Sequence, residues 1–277
     1  MQDVAEFVGS PQAIERYSGL QRHRSWMIEA NNKKYWLKVC EEQNRYSSNH
    51  IEASSLKTLA RYGLTPLLIA EGRGSYGTFI LTENLVGTQL TQLDDAKIDP
   101  IRLLSSLRII HSSVAAAIEH NDPPHSIYSP APDARQCMQF ALNQASAADR
   151  VTTEVLETSL IGRIIPFITP THARVRVHGS LDFQNIVVAE DNTYKFLDLE
   201  ASRLGSPLTD LATILDNLVQ RKMVDAAREI LNNSIHAHEV IAFLLTRILF
   251  RIANGYDESQ NLTQTEFLID HAAAMTG

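Results

Sequence analysis

Cysteines are scarce in this chain of 277 residues, and the two present, Cys40 and Cys137, lie far apart. They match neither a C-x-x-C motif nor the spacing of a zinc site, so the sequence suggests neither a disulfide framework nor a zinc site, and a reducing cytoplasm fits. Long apolar runs are also missing. The longest near the C-terminus, IAFLLTRILF, is about half a membrane span and contains Arg247. The opening MQDVAEFVGS has no basic start and no apolar run, so we expect a soluble protein with no membrane partner.

Basic residues are too few to balance the acidic ones, and the formal net charge is −7. Residues 1–84 hold 10 Lys and Arg against 9 Asp and Glu, whereas residues 85–277 hold 15 against 23, a net charge of −8. This distribution argues against a nucleic-acid partner and is compatible with a cationic small substrate, although acidic surfaces also serve solubility. Asp94, Asp95 and Asp216 are candidate contributors to such a site, with a capping or solvent-facing role as the alternative.

The order of predicted elements indicates an α+β fold with two lobes. In residues 1–84, strand-like runs on both sides of Asn31-Asn32 predict a hairpin, and one helix follows with Asn49 as N-cap and Gly63 as stop. From Asp99 and Pro100, at N-cap and first-turn positions, the pattern is mostly helical, and residues 153–168, TEVLETSLIGRIIPFI, are predicted to form one of the helices. A short β-hairpin interrupts this helical region. We expect an antiparallel-sheet N-lobe, residues 1–84, and a helical C-lobe, residues 85–277, in the order typical of a protein-kinase-like fold.

Lys38 stands in the hydrophobic run YWLKVC, where a charged side chain is costly unless it is paired. Glu52, fourteen residues later, opens the predicted helix, so the two are candidates for an ion pair that aims the lysine at nucleotide phosphates. The alternative is a lysine at a sheet edge facing water and a glutamate favoured by the helix dipole.

Asn185 and Asp198 flank the predicted β-hairpin. A tight hairpin brings its two ends together, and two oxygen ligands there suit a hard cation such as Mg²⁺ shared with phosphate oxygens. Either residue alone is equally compatible with a turn.

The stretch from Arg174 to Leu215 resembles the signature of the aminoglycoside phosphotransferase and choline kinase family, roughly H-G-D-x-x-x-x-N, I-D-x-E-x-A and G-x-P-x-x-D-L-A. Weaker landmarks, YWLKVC, IEASSLKTLARYG, FILTENLVGTQL and LRIIHSSV, follow the family order, so the resemblance covers most of the chain. The matching signature positions are His178, Gly179, Asn185, Asp198, Glu200, Ala201, Gly205, Pro207, Asp210, Leu211 and Ala212.

The resemblance implies a small-molecule kinase that uses ATP and Mg²⁺. It implies that Lys38 contacts phosphates and pairs with Glu52, and that Asn185 and Asp198 hold Mg²⁺. Glu83 to Gly87, including Leu85, would be the hinge against the adenine. Asp210 would brace the catalytic loop, in which His178 is structural more often than catalytic.

Two departures from the family pattern stand out. The first nucleotide loop, RYSGLQRHRSW, has only Gly19 in place of paired glycines, and Arg22, His23 or Arg24 is then a candidate phosphate contact or part of a solvated basic turn. The second departure is Ser180, which occupies the position of the catalytic aspartate.

Serine cannot act as a base at neutral pH without a second base beside it. Asp182 is the candidate replacement, although residues two apart in an extended segment are displaced by about 6 to 7 Å. Three hypotheses follow: an active kinase in which Asp182 or a substrate group is the base, a pseudokinase that binds nucleotide, or an engineered or strain-specific serine in an ordinary kinase. We expect a small-molecule acceptor, and the acidic C-lobe favours a cationic or amino-bearing one.

Overall fold

The computed structural model describes residues 6–9, 13–17, 23–40, 48–74, 77–113, 134–148, 153–154, 156–168 and 175–274. The chain forms two compact units. The first comprises residues 1–93 with 184–202, and the second comprises residues 94–183 with 203–277.

A five-stranded antiparallel sheet in the order β1-β2-β3-β5-β4 dominates the first unit. The turn between β2 and β3 consists of Asn31 and Asn32, both with positive φ, which matches the twist of a two-residue hairpin. The predicted hairpin is therefore confirmed. The strands are β1 Ala13–Tyr17, β2 His23–Ala30, β3 Lys33–Cys40, β4 Leu68–Gly74 and β5 Gly77–Glu83.

One helix, α1 Ser48–Leu59, interrupts this sheet and continues into a 3₁₀ turn, Ala60–Tyr62. Gly63 ends it with a φ of +64°, as expected for a left-handed cap. The prediction that Asn49 is the N-cap is wrong. Asn49 lies inside the helix, and its Nδ2 donates to the carbonyls of Lys38 and Thr78 because two strand carbonyls there face the helix.

A three-stranded antiparallel sheet, ordered β6-β8-β9, completes the first unit with β6 Gly87–Gln89, β8 Ile186–Ala189 and β9 Tyr194–Phe196. A side chain at Gly87 would collide with the carbonyl of Val188, so only glycine allows this close pairing. The predicted β-hairpin thus packs with residues that precede the helical region, whereas the sequence-based division after residue 84 placed it in the C-lobe.

The second unit is mostly helical. Its first helix begins as predicted, with Asp99 accepting a hydrogen bond from the Arg102 amide and Pro100 in the first turn. The stretch predicted as a helix at residues 153–168 contains a π-helical turn, Glu157–Ile161, followed by single turns Gly162–Ile164 and Ile165–Phe167. The helices are α2 Pro100–Ser112, α3 Ala134–Ala148, α4 Pro207–Gln220, α5 Val224–Asn232, α6 Ala237–Ala253 and α7 Ser259–Ala274.

Helix α6 is the interior helix of this unit and packs against α3, α4 and α7. The apolar run IAFLLTRILF lies within it and supplies core side chains, including Leu244, Leu245 and Ile248. Two short strands, β7 Val175–Val177 and β10 Arg203–Gly205, pair antiparallel beside the helices. Among the described helices, none combines the length and apolar character that a membrane crossing requires.

Candidate functional site

Lys38 lies in the interior of the five-stranded sheet. Its strand, β3, is flanked by β2 and β5, and Lys38 is opposite Ser25 on one side and Ile80 on the other. The residue is only 8% exposed. An ammonium so placed is costly unless it is paired, so the alternative of an edge lysine facing water is wrong.

Three carboxylates surround the Lys38 ammonium. Its Nζ donates to Glu52 Oε2 at 2.9 Å, to Asp198 Oδ1 at 2.6 Å and to Glu200 Oε2 at 2.9 Å. The ion pair expected between Lys38 and Glu52 is therefore present. One oxygen from each carboxylate lies within 4.8 Å of the others. In formal charge, the three carboxylates outnumber the single ammonium by two.

Each carboxylate reaches Lys38 from a different element. Glu52 projects from α1, whereas Asp198 and Glu200 follow strand β9 at the start of a 3₁₀ turn, Leu199–Ala201. Asp198 has a φ of 57° and a ψ of 58°, a left-handed conformation that a non-glycine residue adopts at a cost. Strained backbone of this kind is concentrated at functional sites.

The electrostatics of this cluster are dominated by burial and charge pairing. Burial by itself lowers the pKa of Lys38, but the attraction of Glu52, Asp198 and Glu200 outweighs it and raises the pKa above the usual lysine value. For Glu52, burial raises the pKa, and Lys38 opposes this effect. Lys38 therefore stays positively charged at all physiological pH values.

Asn185 lies at the same end of the β8–β9 hairpin as Asp198. Its carbonyl accepts a hydrogen bond at 2.8 Å from the amide of Leu197, the residue before Asp198, and Asn185 is itself buried. The backbone of Asn185 therefore lies beside the segment that carries Asp198, and amide and carboxylate oxygens are the ligand types that Mg²⁺ prefers. The surplus negative charge around Lys38 is what a divalent cation would neutralise, so the residues present fit a magnesium ion.

The predicted hinge follows the last strand of the large sheet. Glu83 closes β5, and its side chain accepts a hydrogen bond at 2.9 Å from the Leu67 amide, so its carboxylate supports the sheet. Leu85, half-buried, comes two residues later. Gly19 and Arg22, the candidate phosphate contacts of the first loop, lie outside the described residues, whereas His23 and Arg24 begin strand β2.

In the second unit, Asp210 holds the loop that carries Ser180. Asp210 is 1% exposed, and its two carboxylate oxygens accept the amides of His178 at 2.8 Å and Gly179 at 3.0 Å. His111 Nε2 lies 3.0 Å from Asp210 Oδ2. Gly179 has a φ of +84°, so this turn favours glycine. The bracing contact implied by the family resemblance is present.

Burial by itself raises the pKa of Asp210, but the hydrogen bond and charge of His111, with the charge of His178 and the Gly179 amide, hold it below the usual aspartate value. His178 is fully buried, and its Nδ1 accepts a hydrogen bond of 3.4 Å from the Ser180 amide. These contacts give His178 a role in shaping the loop.

Asp182, the candidate replacement for the missing aspartate, is half-exposed and lies next to a cation. Its Oδ1 accepts hydrogen bonds from Arg247 Nη2 at 3.2 Å and from Asn217 Nδ2 at 3.5 Å. Asn217 also accepts the Phe183 amide at 3.1 Å, so helix α4 supports the loop at two places.

The expectation that Asp216 is a cap or a solvent-facing residue is wrong. Its side chain is 0% exposed and is bound by Arg247 and Arg251, because α4 turns this face towards α6. Asp95 is paired with Arg221, and Asp94 is the exposed partner of Lys97. Each of the three carboxylates already pairs with a basic side chain, so none of them is an unpaired site for a cationic substrate.

Two residues of this region were not recognised as contacts from the sequence. Glu200 was noted only as part of the signature, and the D-x-E spacing was the signal that could have placed it beside Lys38. Arg247 was noted only as a charge inside an apolar run. An arginine in a buried helix needs a carboxylate partner, and that requirement was the available signal.

The chain was compared with known protein families, protein sequences and solved structures. The model of the "Phosphotransferase enzyme family" matches residues 13–243. No curated protein sequence matches the chain significantly.

Solved structures share the protein-kinase-like fold at low identity. Spectinomycin phosphotransferase APH(9)-Ia, solved with ADP and spectinomycin, is 14% identical with a TM-score of 0.64, covering 99% of this chain and 98% of that one. A mutant of aminoglycoside phosphotransferase APH(4)-Ia, solved with AMP-PNP and hygromycin B, is 14% identical with a TM-score of 0.60, covering 99% and 96%. The choline kinase LicA from Streptococcus pneumoniae is 14% identical with a TM-score of 0.57, covering 99% and 97%. The family model spans most of the chain, and this protein therefore belongs to the phosphotransferase enzyme family.

Proposed function

We propose that this protein is an ATP- and Mg²⁺-dependent phosphotransferase that transfers the γ-phosphate to a hydroxyl of a small molecule. The observation that carries the proposal is the cluster of Lys38 with Glu52, Asp198 and Glu200 in the first unit. A buried lysine held by three carboxylates is a costly arrangement for stability alone, since a buried ion pair gives little net stabilisation.

In this proposal the first unit binds the nucleotide. Lys38, oriented by Glu52, contacts the phosphates, and Asn185 and Asp198 hold Mg²⁺. When bound, the metal would neutralise negative charge on the phosphate oxygens. The segment from Glu83 to Gly87, including Leu85, offers its backbone to the adenine. Solved relatives carry ADP or AMP-PNP, which supports a nucleotide of this class.

The second unit binds the acceptor and supplies the base. Ser180 stands where the family has aspartate, and Asp182 is the remaining carboxylate of the 178–185 loop. General-base help is worth about 10² to 10⁴ in rate, and a loose phosphoryl transition state depends more on positioning. We therefore expect slow but measurable transfer.

The acceptor is a small hydroxyl compound that also bears an amine. Relatives of the same fold were solved with spectinomycin or hygromycin B, and another is a choline kinase. The net charge of −8 over residues 85–277 favours a cationic acceptor through long-range attraction. Cys40 and Cys137 are both buried thiols, which is compatible with action in the cytoplasm.

A pseudokinase that binds nucleotide without efficient transfer is the second candidate function. Ser180 favours it, since loss of the base with retention of Lys38, Asn185 and Asp198 is what a binding protein would show. The kinase and the pseudokinase both predict nucleotide binding, but only the kinase predicts measurable turnover.

Transfer of label from the γ-phosphate of ATP, with Mg²⁺, to a pool of small hydroxyl and amino compounds tests the proposal. The protein is compared with its Asp198→Ala variant, and ATP binding is followed by calorimetry. A discrete labelled product that requires Asp198 supports the kinase. Intact ATP binding without product supports the pseudokinase, and absence of Mg²⁺-dependent ATP binding overturns both.

A further inference from the structure

A network of charged side chains connects Asp182 to the interior of the second unit. Arg247 on helix α6 donates through Nη2 to Asp182 and through Nε to Asp216, and Arg251 bridges Asp216 and Glu258. We call these five residues the Asp216 network.

The hydrogen bonds of the Asp216 network are shared unequally. Asp216, fully buried, accepts three guanidinium hydrogen bonds at 2.6 to 2.7 Å from Arg247 and Arg251. Glu258 accepts from Arg251 at 2.6 and 3.0 Å and from Asn261 at 2.8 Å. Asp182 receives one guanidinium bond at 3.2 Å and one long amide bond. It is the least satisfied carboxylate of the three.

The charge count points to the same residue. The Asp216 network holds three carboxylates and two guanidiniums, so one negative charge is in excess. Asp182 is the exposed end of the network, with 37% of its side chain accessible, against 0% for Asp216. Both of its bonds are made by Oδ1, and among the described residues none donates to Oδ2.

The position of Asp182 is set by donors that are themselves fixed. Arg247 is anchored by the 2.7 Å bond from its Nε to Asp216, and Asn217 is anchored by a 2.7 Å bond from its Nδ2 to the Thr213 carbonyl. A planar guanidinium with one edge held has a defined direction for its remaining donors, which a flexible ammonium lacks. Oδ1 is therefore held by two fixed donors, whereas Oδ2 has no donor among the described residues.

We propose that Arg247 is the positioning residue for Asp182 as the acceptor-side base of the transfer reaction. The inference rests on the proposed function and adds the residue that orients its base. In the step, the acceptor hydroxyl gives its proton to the Asp182 carboxylate while its oxygen forms a bond to the γ-phosphorus. The bond between the γ-phosphorus and the bridging oxygen breaks, and the electron pair leaves with ADP.

A double-mutant cycle tests this coupling with the full chain. Turnover is measured as γ-phosphate label leaving Mg²⁺-ATP for choline, spectinomycin, hygromycin B or water, using whichever the unaltered protein labels fastest. The variants are Arg247→Met, Asp182→Asn and the double variant. Arg228→Met is the matched control, because Arg228 pairs with exposed Asp225 outside the Asp216 network. ATP titration calorimetry and thermal unfolding report the folded, nucleotide-binding fraction of each variant.

We expect Arg247→Met to lower kcat by about 10- to 100-fold, the cost of misplacing a reacting group by about 1 Å, with little change in KM. In the Asp182→Asn background the same substitution should change kcat by less than about twofold, since coupled residues are non-additive. Arg228→Met should leave kcat unchanged. Arg247→Lys, which keeps a cation beside Asp216 but lacks the planar, fixed donors of a guanidinium, provides the same comparison if Arg247→Met does not fold.

Additive losses in the cycle would overturn the proposal, because Arg247 would then act independently of Asp182. A raised acceptor KM with unchanged kcat would also overturn it and make Asp182 a binding group for the acceptor. If the unaltered protein binds Mg²⁺-ATP and transfers no label to any of the four acceptors, the proposed kinase function itself fails. Absence of transfer therefore contradicts the proposed function, whereas additive losses in an active enzyme contradict only the role of Arg247.

Discussion

The Lys38 Nζ and the Asp198 Oδ1 lie 2.6 Å apart although 160 residues separate them in the sequence. This contact joins the five-stranded sheet to the hairpin that carries the candidate metal ligands, within one compact unit. A single ammonium thereby holds the oxygens of Asp198 and Glu200 near one another. The contact that compensates the charge of Lys38 in the interior also brings together three carboxylates, Glu52, Asp198 and Glu200, of the kind that can hold a metal ion.

Lys38→Met should destabilise the protein strongly. The substitution leaves Glu52 buried without its partner, and removal of one member of a buried ion pair costs about 3 to 5 kcal/mol. Urea unfolding at neutral pH measures the free energy of unfolding. Lys57→Met is the matched control, because Lys57 forms an exposed pair with Glu71 and should cost less than about 1 kcal/mol. Equal losses of unfolding free energy in the two variants would contradict the conclusion that Lys38 compensates the buried charge of Glu52.

Nucleotide binding should depend on Mg²⁺ through Asp198. Calorimetric titration with ATP should show at least about tenfold weaker binding when EDTA removes the metal, since Mg²⁺ bridges protein and phosphate oxygens. Asp198→Asn should bind ATP weakly with or without Mg²⁺. Asp191→Asn, at the exposed tip of the same hairpin, should behave like the unaltered protein. ATP binding that does not depend on Mg²⁺ would argue against a metal site at Asp198.

Ser180→Asp should raise turnover, but by less than the full value of a general base of about 10² to 10⁴, because Asp182 already takes the acceptor proton from a displaced position. Ser180→Ala should match the unaltered protein, since a serine hydroxyl is no base at neutral pH. Steady-state transfer of γ-phosphate label measures both. Loss of activity in Ser180→Ala would show that the serine takes part in the reaction.

Stability at acid pH should depend on Asp210. Its pKa is lowered in the folded protein, so the carboxylate contributes stability that is present above its unfolded pKa of about 3.9. This contribution disappears as the pH falls through the lower folded pKa. Asp210→Asn removes it, and the variant should be less stable at pH 7 but lose less further stability below about pH 4. Urea midpoints measured from pH 7 to pH 2.5 for both proteins test this, and parallel curves would contradict it.

Local features were predictable from the sequence because local energetics decide them. The Asn31-Asn32 turn, the Asp99 cap and the Gly63 stop depend on the backbone preferences of a few neighbouring residues. The signature residues from His178 to Ala212 identified the family for the same reason, since their order and spacing are written in the chain. Asn49 was misassigned because its amide found strand carbonyls, a tertiary contact that overrides the capping preference.

By itself, the sequence determined the α+β architecture, the family, and the candidate nucleotide and metal residues. Only the tertiary structure decided that Glu200 joins Lys38, that Asp216 is buried, and that Arg247 binds Asp182 across 65 residues. The physical reason is that periodicity and motif spacing report which face of an element is apolar and which turns it favours. The partners of buried charges depend instead on how distant segments pack. The sequence indicates that a buried charge such as Arg247 needs a partner, but it does not indicate which residue that partner is.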